Sequence, residues 1–358
     1  MNRTIKVIHA IPELKVGGVE RVAMHLLQSP LHGVEYHLLV IEQADIDLIE
    51  KLPAHVLTRL HILNGKKHRP STYFKAIHRI KEIAPDWLMA SLWRAQPLIW
   101  MSRQENYKTV TCFHNTRFSH ILDKAATIFS LKNANYCFTD SQATAEFIRQ
   151  FSNIRIEHLH HIIQQPLLTG VRKQKRLVYI GRLATQKGLE QGIQLIVALK
   201  RLRQTWHLDC YGPDEGALRK LQLMAKQYGV EEQIHFFGSR NPSEISTILA
   251  SYDYLLQPSP NEGMAMVVME AMQQGTIPVV RPSGEIPQYT QDDHDAIWFN
   301  AVNDQLAKRL IALADNDQLR EQMRTRMKEK ASNWKDVCDE LSTLLLSLHV
   351  PANLSQNY

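Results

Sequence analysis

Apolar and polar positions along the first half of the chain alternate between short buried runs and helical segments. The run IKVIHAI at 5–11 leads through Gly17 and Gly18 into a segment with apolar residues on one helical face. Four further runs are typical of buried strands: YHLLVIE, DWLMASL, KTVTCFH and YCFTDS. This alternation indicates an α/β domain, with a parallel sheet covered by helices on both faces.

The same pattern begins again after a polar, basic stretch, with the runs RLVYIGR, WHLDCYG, IHFFG, YDYLLQPS and IPVV. A chain of 358 residues also exceeds what one hydrophobic core usually supports. We therefore predict one domain at 1–165, a linker at 166–176 and a second domain at 177–333. The helical spacing of apolar residues at 334–350 predicts an amphipathic helix that packs on another part of the chain.

The segment Met264–Gln274 is apolar nearly all round, which predicts a buried helix, and Gly275 with Pro278 ends it. Glu270 is the only charged residue within this helix. A buried carboxylate is costly unless it accepts hydrogen bonds, so we expect Glu270 to hold a ligand. An ion pair with a core arginine is the alternative that the residues leave open.

Composition, with 44% apolar and 22% charged residues, is that of an ordinary globular protein. No apolar run reaches the ~18 residues that a transmembrane helix needs. The N-terminal apolar stretch is predicted to be a first strand rather than a signal peptide. The four cysteines lack paired spacing, which favours buried thiols in a reducing cytoplasm over disulfides or zinc.

The formal net charge of +6 is concentrated at 61–81, which holds six Lys or Arg, three His and no acid. A solvated helix face and attraction to an anionic membrane surface are the two interpretations that remain open. Nucleic acid is disfavoured as a partner because no recognised binding motif accompanies the charge.

Two cations follow the strand RLVYIGR, at the strand end where ligands of open α/β sheets bind. Arg182 lies directly past this strand, and Lys187 lies just before the next helix. Fixed cations beside a helix N-terminus are typical of a phosphate site. A surface ion pair is the alternative for either residue alone.

Glu262 and Glu270 are eight positions apart and flank the predicted helix N-terminus near Gly263. Hydroxyl groups at both ends of a ligand, with a diphosphate between them, fit two carboxylates separated by free N–H groups. Gly263 allows the ligand to approach the backbone closely. A nucleotide-sugar has this layout.

The motifs GRLATQKG and PSPNEGMAMVVMEAMQQGTIPVV, with the spacing Glu-x7-Glu, resemble glycosyltransferase family 4 of the bacterial cell-surface glycan type. GGVER, FHN, FFGSRNPSEI and GEIPQY extend the likeness over nearly the whole chain. The resemblance implies retaining enzymes of the GT-B fold. In that fold two Rossmann-like parallel-sheet domains face a cleft, and a C-terminal helix crosses back to the N-terminal, acceptor-binding domain.

By position, the resemblance implies that Arg182 and Lys187 neutralise the donor diphosphate and stabilise the leaving nucleotide. It implies that Glu262 binds donor-sugar hydroxyls, that Glu270 binds the ribose hydroxyls, and that His114 faces the reacting sugar. The other donor-binding positions that it implies are Gly17 and Gly18 opposite the phosphates, Ser239 and Arg240 beside the base, and Gly263, Met264 and Ala265 near the sugar or phosphates.

Two positions depart from the family pattern, and the segment DDHDAIWF lacks the usual glycine. Ala265 stands where a second glycine is common, and Gln288 stands where a glutamate is frequent. Ala265 is expected to narrow access near the sugar or phosphates, so the departures leave the donor identity open.

We expect a retaining glycosyltransferase that moves a hexose or N-acetylhexosamine from a nucleotide-diphosphate sugar. A UDP-sugar is favoured over a GDP-sugar, and no metal or other cofactor is expected because the two cations receive the leaving charge. The acceptor is expected to be a lipid-linked, lipopolysaccharide, O-antigen or capsule glycan, with the enzyme cytoplasmic and peripheral on the inner face of the cell membrane through 61–81.

Three alternatives remain. A glycosidase also uses paired carboxylates, but hydrolysis of a neutral glycan does not need the two cations. A dinucleotide-dependent oxidoreductase lacks the G-x-G-x-x-G run. A non-catalytic membrane-surface protein that binds a glycan or nucleotide would be excluded only by turnover.

Overall fold

The computed structural model describes residues 4–50, 52–171 and 174–349, which form two compact units. Unit 1 comprises the described residues up to Ile163 and those from Lys335 onward, and unit 2 runs from Gln164 to Trp334. The predicted first domain, linker and C-terminal helix include a few residues that lie outside the described ones: 1–3, 51, 172–173 and 350.

The strands are numbered in chain order. Those of unit 1 are β1 (Ile5–Ile11), β2 (Val34–Val40), β3 (Leu60–Ile62), β4 (Trp87–Ser91), β5 (Lys108–Phe113), β6 (Tyr136–Thr139) and β7 (Ile156–His158). Those of unit 2 are β8 (Gln174–Ile180), β9 (Leu208–Tyr211), β10 (Ile234–Phe236), β11 (Tyr252–Gln257), β12 (Ile277–Val280) and β13 (Ile297–Trp298).

The helices are also numbered in chain order. Those before Ile163 are α1 (Gly18–Gln28), α2 (Ile46–Ile49), α3 (Ala54–Leu57), α4 (Pro70–Ile83), α5 (Pro97–Met101), α6 (Ile121–Asn133) and α7 (Gln142–Arg149). Those that follow are α8 (Glu190–Arg201), α9 (Leu218–Gln227), α10 (Ile245–Ala250), α11 (Met266–Gln273), α12 (Ile286–Tyr289), α13 (Asp304–Ala314), α14 (Asp317–Ser332) and α15 (Val337–His349).

Each unit contains one parallel sheet. The described strands of unit 1 have the order β3-β2-β1-β4-β5-β6-β7, and those of unit 2 have the order β10-β9-β8-β11-β12-β13. Their near-continuous apolar runs are typical of strands covered on both faces, and every residue of β4 and β11 is buried. The prediction of two Rossmann-like domains is therefore confirmed.

Packing in unit 1 follows from these runs. Ile8, Leu39 and Leu88 project from three neighbouring strands onto Ala76 and Ile80 of α4. The four cysteines of the chain are free and buried, as predicted.

The last helix, α15, packs against α1 and belongs to unit 1. Its apolar face is buried, with Leu341 and Leu345 fully inaccessible to solvent. The prediction that the tail helix crosses back to the first domain is confirmed. The helix begins at Val337 rather than Trp334, since Asp336 Oδ1 accepts the N–H of Cys338 at 2.8 Å.

The buried helix α11 begins at Met266, two residues later than the predicted Met264. Ala265 has a φ of 50°, in the left-handed region that a right-handed helix does not use. An alanine gives no signal for that conformation, whereas a glycine would adopt it without steric cost.

Among the described residues, no helix combines the length and apolarity needed to cross a membrane.

Candidate active site

The strand order of unit 2 has a switch point between β8 and β11. The order of connections reverses between these neighbouring strands. Such a switch point is where ligands of open parallel sheets bind, beyond the carboxyl ends of the strands. Arg182 and Lys187 follow β8, and Glu262 follows β11.

Lys187 and Glu262 are in direct contact at this point, although they are 75 positions apart in the chain. Lys187 Nζ donates to Glu262 Oε1 at 2.7 Å, and the two side chains are 20% and 9% exposed. The structure therefore brings together the cation that was predicted to bind phosphate and the carboxylate that was predicted to bind sugar hydroxyls.

Arg182 is held more loosely than Lys187. Its guanidinium donates to Glu215 Oε2 at 2.5 Å, and both side chains are more than 40% exposed. Exposed ion pairs of this kind contribute little to stability. Arg182 can therefore exchange this carboxylate for an anionic ligand at low cost. Glu215 was not singled out from the sequence, because its contact with Arg182 joins residues 33 positions apart.

A glycine in the loop after β12 supports the backbone next to Glu262. Gly284 has a φ of 59°, and a Cβ added there would lie 2.2 Å from the carbonyl oxygen of Glu262. The N–H of Glu285 donates to the carbonyl of Gly263 at 3.0 Å. This close backbone approach fixes the path of residues 262–263.

Glu270 lies inside α11 and is 4% exposed, as the apolar pattern predicted. The helix begins at Met266, three residues after the N-terminus predicted near Gly263, and continues to Gln273. Residues 262–265 are not helical, and Met264 and Ala265 are buried there. The first N–H groups of α11 lack intrahelical acceptors, as at any helix N-terminus.

Two aromatic residues, one at the end of β9 and one directly after β10, form a stack that sequence reasoning missed. The rings of Tyr211 and Phe237 are 4.8 Å apart with planes 13° from parallel, and Arg240 Cζ lies 5.6 Å from the Tyr211 ring. Phe237 is 41% exposed, and Ser239 is exposed beside it. The available signal was an aromatic residue at the end of each of two adjacent strands.

The remaining predicted site residues belong to unit 1. Gly17 is the N-cap of α1 and Gly18 is its first residue. His114 follows β5, and its Nε2 lies 3.2 Å from Ser91 Oγ. Its ring is 4.5 Å from that of His161, and burial lowers the pKa of His114 well below its ordinary value.

Unit 1 also has a switch point, between β1 and β4, where a group of charged residues meets an aromatic ring. Arg94 contacts Glu42 Oε1 at 2.9 Å and Glu13 Oε2 at 3.2 Å. Burial raises the pKa of Glu13, but a hydrogen bond from Lys67 and the charges of Arg94 and Lys67 outweigh it and lower the pKa to about 2. Glu13 therefore stays ionised at neutral pH, whereas burial raises the pKa of Glu42 despite its contact with Arg94.

The ring of Trp93 lies next to this network. It contacts His68 at 5.7 Å and His120 at 4.8 Å between ring centroids. Since His68 precedes α4 and His120 caps α6, residues at the starts of these two helices contact the same indole. Nothing in the periodicity of the sequence had singled out Trp93.

Sequence comparison finds a match to a known family within unit 2. Residues 168–334 match the family described as "Glycosyl transferases group 1". The chain is 32% identical over 113 residues to the lipopolysaccharide glucosyltransferase WaaG of Escherichia coli K12, covering 31% of this chain and 29% of that protein. It is 28% identical over 181 residues to the D-inositol 3-phosphate glycosyltransferase of Corynebacterium glutamicum, covering 48% and 43% of the two chains. The matches span less than half the length of these curated relatives.

Structure comparison extends over nearly the whole chain. Anabaena HepE in complex with UDP-glucose has a TM-score of 0.79 at 16% identity, covering 96% of this chain and 100% of that one. Sucrose-phosphate synthase from Thermosynechococcus elongatus has a TM-score of 0.77 at 14% identity, with coverages of 96% and 99%. The chain therefore has the fold of two Rossmann-like domains that these proteins share, and its residues 168–334 carry the sequence pattern of the glycosyl transferases group 1 family.

Proposed function

We propose that the protein is a retaining glycosyltransferase that moves a hexose or N-acetylhexosamine from a nucleotide-diphosphate sugar to a lipid-linked or lipopolysaccharide glycan. The contact between Lys187 and Glu262 at the switch point of unit 2 carries this proposal. The match of residues 168–334 to a glycosyltransferase family supports it. The name of the E. coli relative and the UDP-glucose complex of HepE support the acceptor class and the UDP-sugar donor.

The donor diphosphate would be bound by Arg182, Lys187 and the free N–H groups at the start of α11. Negative charge builds on the leaving nucleotide as the glycosidic bond breaks, and preorganised cations and N–H groups stabilise that charge. Arg182 would release Glu215 and accept the phosphate in its place. This arrangement supplies the required positive charge from the protein itself, so we propose that transfer needs neither a metal nor another cofactor.

Two carboxylates would orient the ends of the donor. Glu262, positioned by Lys187 and by the close approach of Gly284, would accept hydrogen bonds from hydroxyls of the sugar. Glu270 would accept hydrogen bonds from the hydroxyls of the ribose. The exposed stack of Tyr211 and Phe237 offers a flat surface for the base. The transferred sugar would be attacked on the face from which the nucleotide leaves, which retains its anomeric configuration.

Unit 1 would bind the acceptor. Trp93 provides an aromatic surface beside the polar groups of Glu13, Glu42 and Arg94, a combination of apolar area and fixed polar groups that suits a small glycan. His114, in the same unit, would contact the reacting sugar.

The surface around α4 and α6 supports binding of unit 1 to a membrane. Lys66, Arg69 and Lys75 are exposed and take part in no ion pair among the described residues. Phe74 is 66% exposed beside Lys75, and Ile121 is 82% exposed at the start of α6. Basic and apolar side chains on one surface are typical of proteins that bind an anionic membrane peripherally.

The proposal is tested first by thermal unfolding of the whole chain with UDP, GDP, ADP, CMP, NAD or no ligand, each with and without EDTA. We expect UDP to raise the unfolding temperature, and EDTA to leave the effect unchanged. Lys187→Ala is expected to lose the UDP effect, whereas the control Lys220→Ala, which removes an exposed lysine paired with Glu190, is expected to keep it.

Turnover completes the test. We expect transfer from a UDP-hexose or UDP-N-acetylhexosamine to a glycan acceptor, with the product anomer matching that of the donor by NMR. Absence of stabilisation by every nucleotide would contradict the donor site. Glycan hydrolysis without a nucleotide would favour the glycosidase alternative, and stabilisation by NAD alone would favour the oxidoreductase.

A further inference from the structure

The turn before α11 arranges backbone N–H groups in a way that suits an anion. Ala265 is in the left-handed region, with a φ of 50° and a ψ of 58°, and the right-handed helix begins at the next residue, Met266. A left-handed residue next to a right-handed one turns successive N–H groups toward a common point, which forms a concave site for an anion. The N–H groups of Ala265, Met266 and Val267 donate no hydrogen bond within the described part of the chain.

This turn is costly for its sequence, and Tyr289 supplies contacts that hold it. An alanine side chain crowds the backbone in the left-handed region, so it stays there only where its surroundings fix the conformation. The hydroxyl of Tyr289 donates to the carbonyl of Met264 at 2.7 Å and lies 3.4 Å from that of Ala265, and both contacts are buried. One hydroxyl therefore holds the two carbonyls that flank the strained backbone.

Tyr289 is itself fixed in place. Its ring meets the Trp334 ring edge to face, with centroids 6.2 Å apart and planes at 84°. Its backbone carbonyl accepts a hydrogen bond from Lys330 Nζ at 3.3 Å. Burial, with smaller contributions from Glu262 and Glu285, raises the pKa of the Tyr289 phenol well above its ordinary value, so the hydroxyl keeps the proton that it donates.

The planarity of the peptide group extends the effect of Tyr289 to the N–H groups of the turn. In a trans peptide the N–H points away from the carbonyl of the same group. The direction of the Met264 carbonyl therefore sets that of the Ala265 N–H, and the direction of the Ala265 carbonyl sets that of the Met266 N–H. Both N–H groups thus point away from the Tyr289 hydroxyl.

We propose that Tyr289 is a positioning residue for the donor, which acts through the turn at 264–265 to aim these N–H groups at the diphosphate. This inference rests on the proposed function, in which the start of α11 binds the diphosphate. Tyr289 is the last residue of α12 and lies 25 positions after Met264, so it holds the turn from another element. A glycine at position 265 would need no such support, because glycine adopts the left-handed region without steric cost.

Calorimetric titration of the whole chain with UDP and with uridine separates this role from general packing. Uridine has the base and the ribose of UDP but no phosphate, so misdirected N–H groups would weaken the binding of UDP alone. Tyr289→Phe removes one hydroxyl and keeps the ring. We expect this variant to bind UDP about 10-fold more weakly than the wild type and uridine within about 2-fold of it.

Two further variants sharpen the titration. Tyr107→Phe also removes a hydroxyl with a hydrogen bond, to Ser102 Oγ at 2.8 Å, but it lies in unit 1 and is expected to bind UDP and uridine as the wild type does. The double variant Ala265→Gly/Tyr289→Phe is expected to recover most of the lost UDP affinity, because glycine removes the steric cost of the turn. A tyrosine that served packing alone would not be rescued in this way.

Hydrogen exchange of the whole chain without a nucleotide tests the contact between Tyr289 and the turn directly. The N–H of Val268 donates to the carbonyl of Ala265 at 2.8 Å, so its exchange reports whether the turn is held. We expect Tyr289→Phe to speed this exchange by about 10-fold, since the Ala265 carbonyl is then less restrained. Tyr107→Phe is expected to leave it unchanged.

Circular dichroism checks that each variant is folded. The proposal is overturned if Tyr289→Phe keeps wild-type affinity for UDP, loses affinity for UDP and uridine equally, or exchanges at Val268 as the wild type does. It is also overturned if the double variant binds UDP no better than Tyr289→Phe. If the wild type itself binds no UDP, the proposed function fails, whereas the exchange at Val268 still tests the role of Tyr289 in holding the turn.

Discussion

Among single residues, Glu270 is both buried within α11 and proposed to bind the ribose of the donor. Its carboxylate is 4% exposed between neighbours that are fully buried. Glu270→Gln keeps the shape and removes the charge, so we expect UDP affinity to fall by about 1.5–3 kcal/mol for each charge-assisted hydrogen bond lost, which is roughly 10- to 150-fold.

Calorimetric titration with UDP measures this change, with Glu329→Gln, an exposed position of α14, as the control. Wild-type UDP affinity in a folded Glu270→Gln variant would mean that Glu270 serves the packing of unit 2 alone.

Buried histidines link the stability of unit 1 to pH. Burial lowers the pKa of His9 to about 3 and that of His161 to about 4. The value in an unfolded chain is about 6.5, so between these pH values the unfolded chain takes up protons that the folded unit does not. The free energy of unfolding is therefore expected to fall as the pH falls from about 6.5 to 4, by at most about 1.4 kcal/mol per pH unit for each histidine.

Urea unfolding of the whole chain at several pH values across this window measures the effect. His161→Gln removes one titrating group and should make the dependence shallower, whereas His55→Gln, at an exposed position, should not. An unfolding midpoint that stays constant across the window would contradict the prediction.

At the scale of elements, the loop after β12 holds the loop after β11 in place through Gly284. Alanine at this position meets both a φ of 59° and a carbonyl 2.2 Å from its Cβ. Gly170 shares a positive φ, of 74°, but nothing lies within 4 Å of its added Cβ. Gly284→Ala is expected to destabilise unit 2 by more than about 2 kcal/mol and to weaken UDP binding, whereas Gly170→Ala is expected to cost only about 1 kcal/mol.

Thermal unfolding and UDP titration of the two variants distinguish the effect of the close approach between Gly284 and Glu262 from the effect of a positive φ alone. Equal destabilisation by both substitutions, with UDP affinity unchanged, would show that Gly284 does not position Glu262.

The elements that the sequence predicted well are those with long apolar runs. The short strands β3, β7 and β13 were not predicted, because two or three residues carry too little periodicity to show a strand unless an apolar run extends past them, as IHFFG does at β10. The last residues of the predicted linker, from Gln174 to Arg176, form the start of β8 because pairing with β11 determines their conformation.

The site was predictable only in part, for a related reason. Arg182, Lys187, Glu262 and Glu270 lie in local motifs that show in the sequence. The ion pair between Lys187 and Glu262 depends on the adjacency of β8 and β11, which the order of residues does not reveal.

At the scale of the whole molecule, the net charge of +6 includes cations of unit 1 that are not neutralised. Lys67, Arg79 and Lys81 are paired with carboxylates, whereas Lys66, Arg69 and Lys75 are exposed without an ion pair in the described part of the chain. Replacing the latter three with Gln is expected to weaken binding to vesicles that contain anionic lipid, by about 1 kcal/mol for each charge near the surface.

Vesicle sedimentation measures this binding at low and high salt. The control replaces Arg219, Lys226 and Lys308, three exposed cations of unit 2, and so makes the same change in net charge. Equal binding by the two triple variants would mean that net charge, rather than the surface around α4, attracts the protein to the vesicle.

The path of the chain between the two units has a consequence for biosynthesis. On one side of the boundary Gln164 Nε2 donates to the carbonyl of Trp334 at 2.7 Å, and on the other the N–H of Val337 donates to the carbonyl of Ile162 at 2.8 Å. Unit 2 is thus one continuous stretch inserted between two parts of unit 1. On the ribosome, unit 2 has its whole sequence available before α15 emerges to cover α1. Unit 1 is therefore translated first but completes its fold last. The apolar surface of α1 that α15 covers stays uncovered while unit 2 is synthesised.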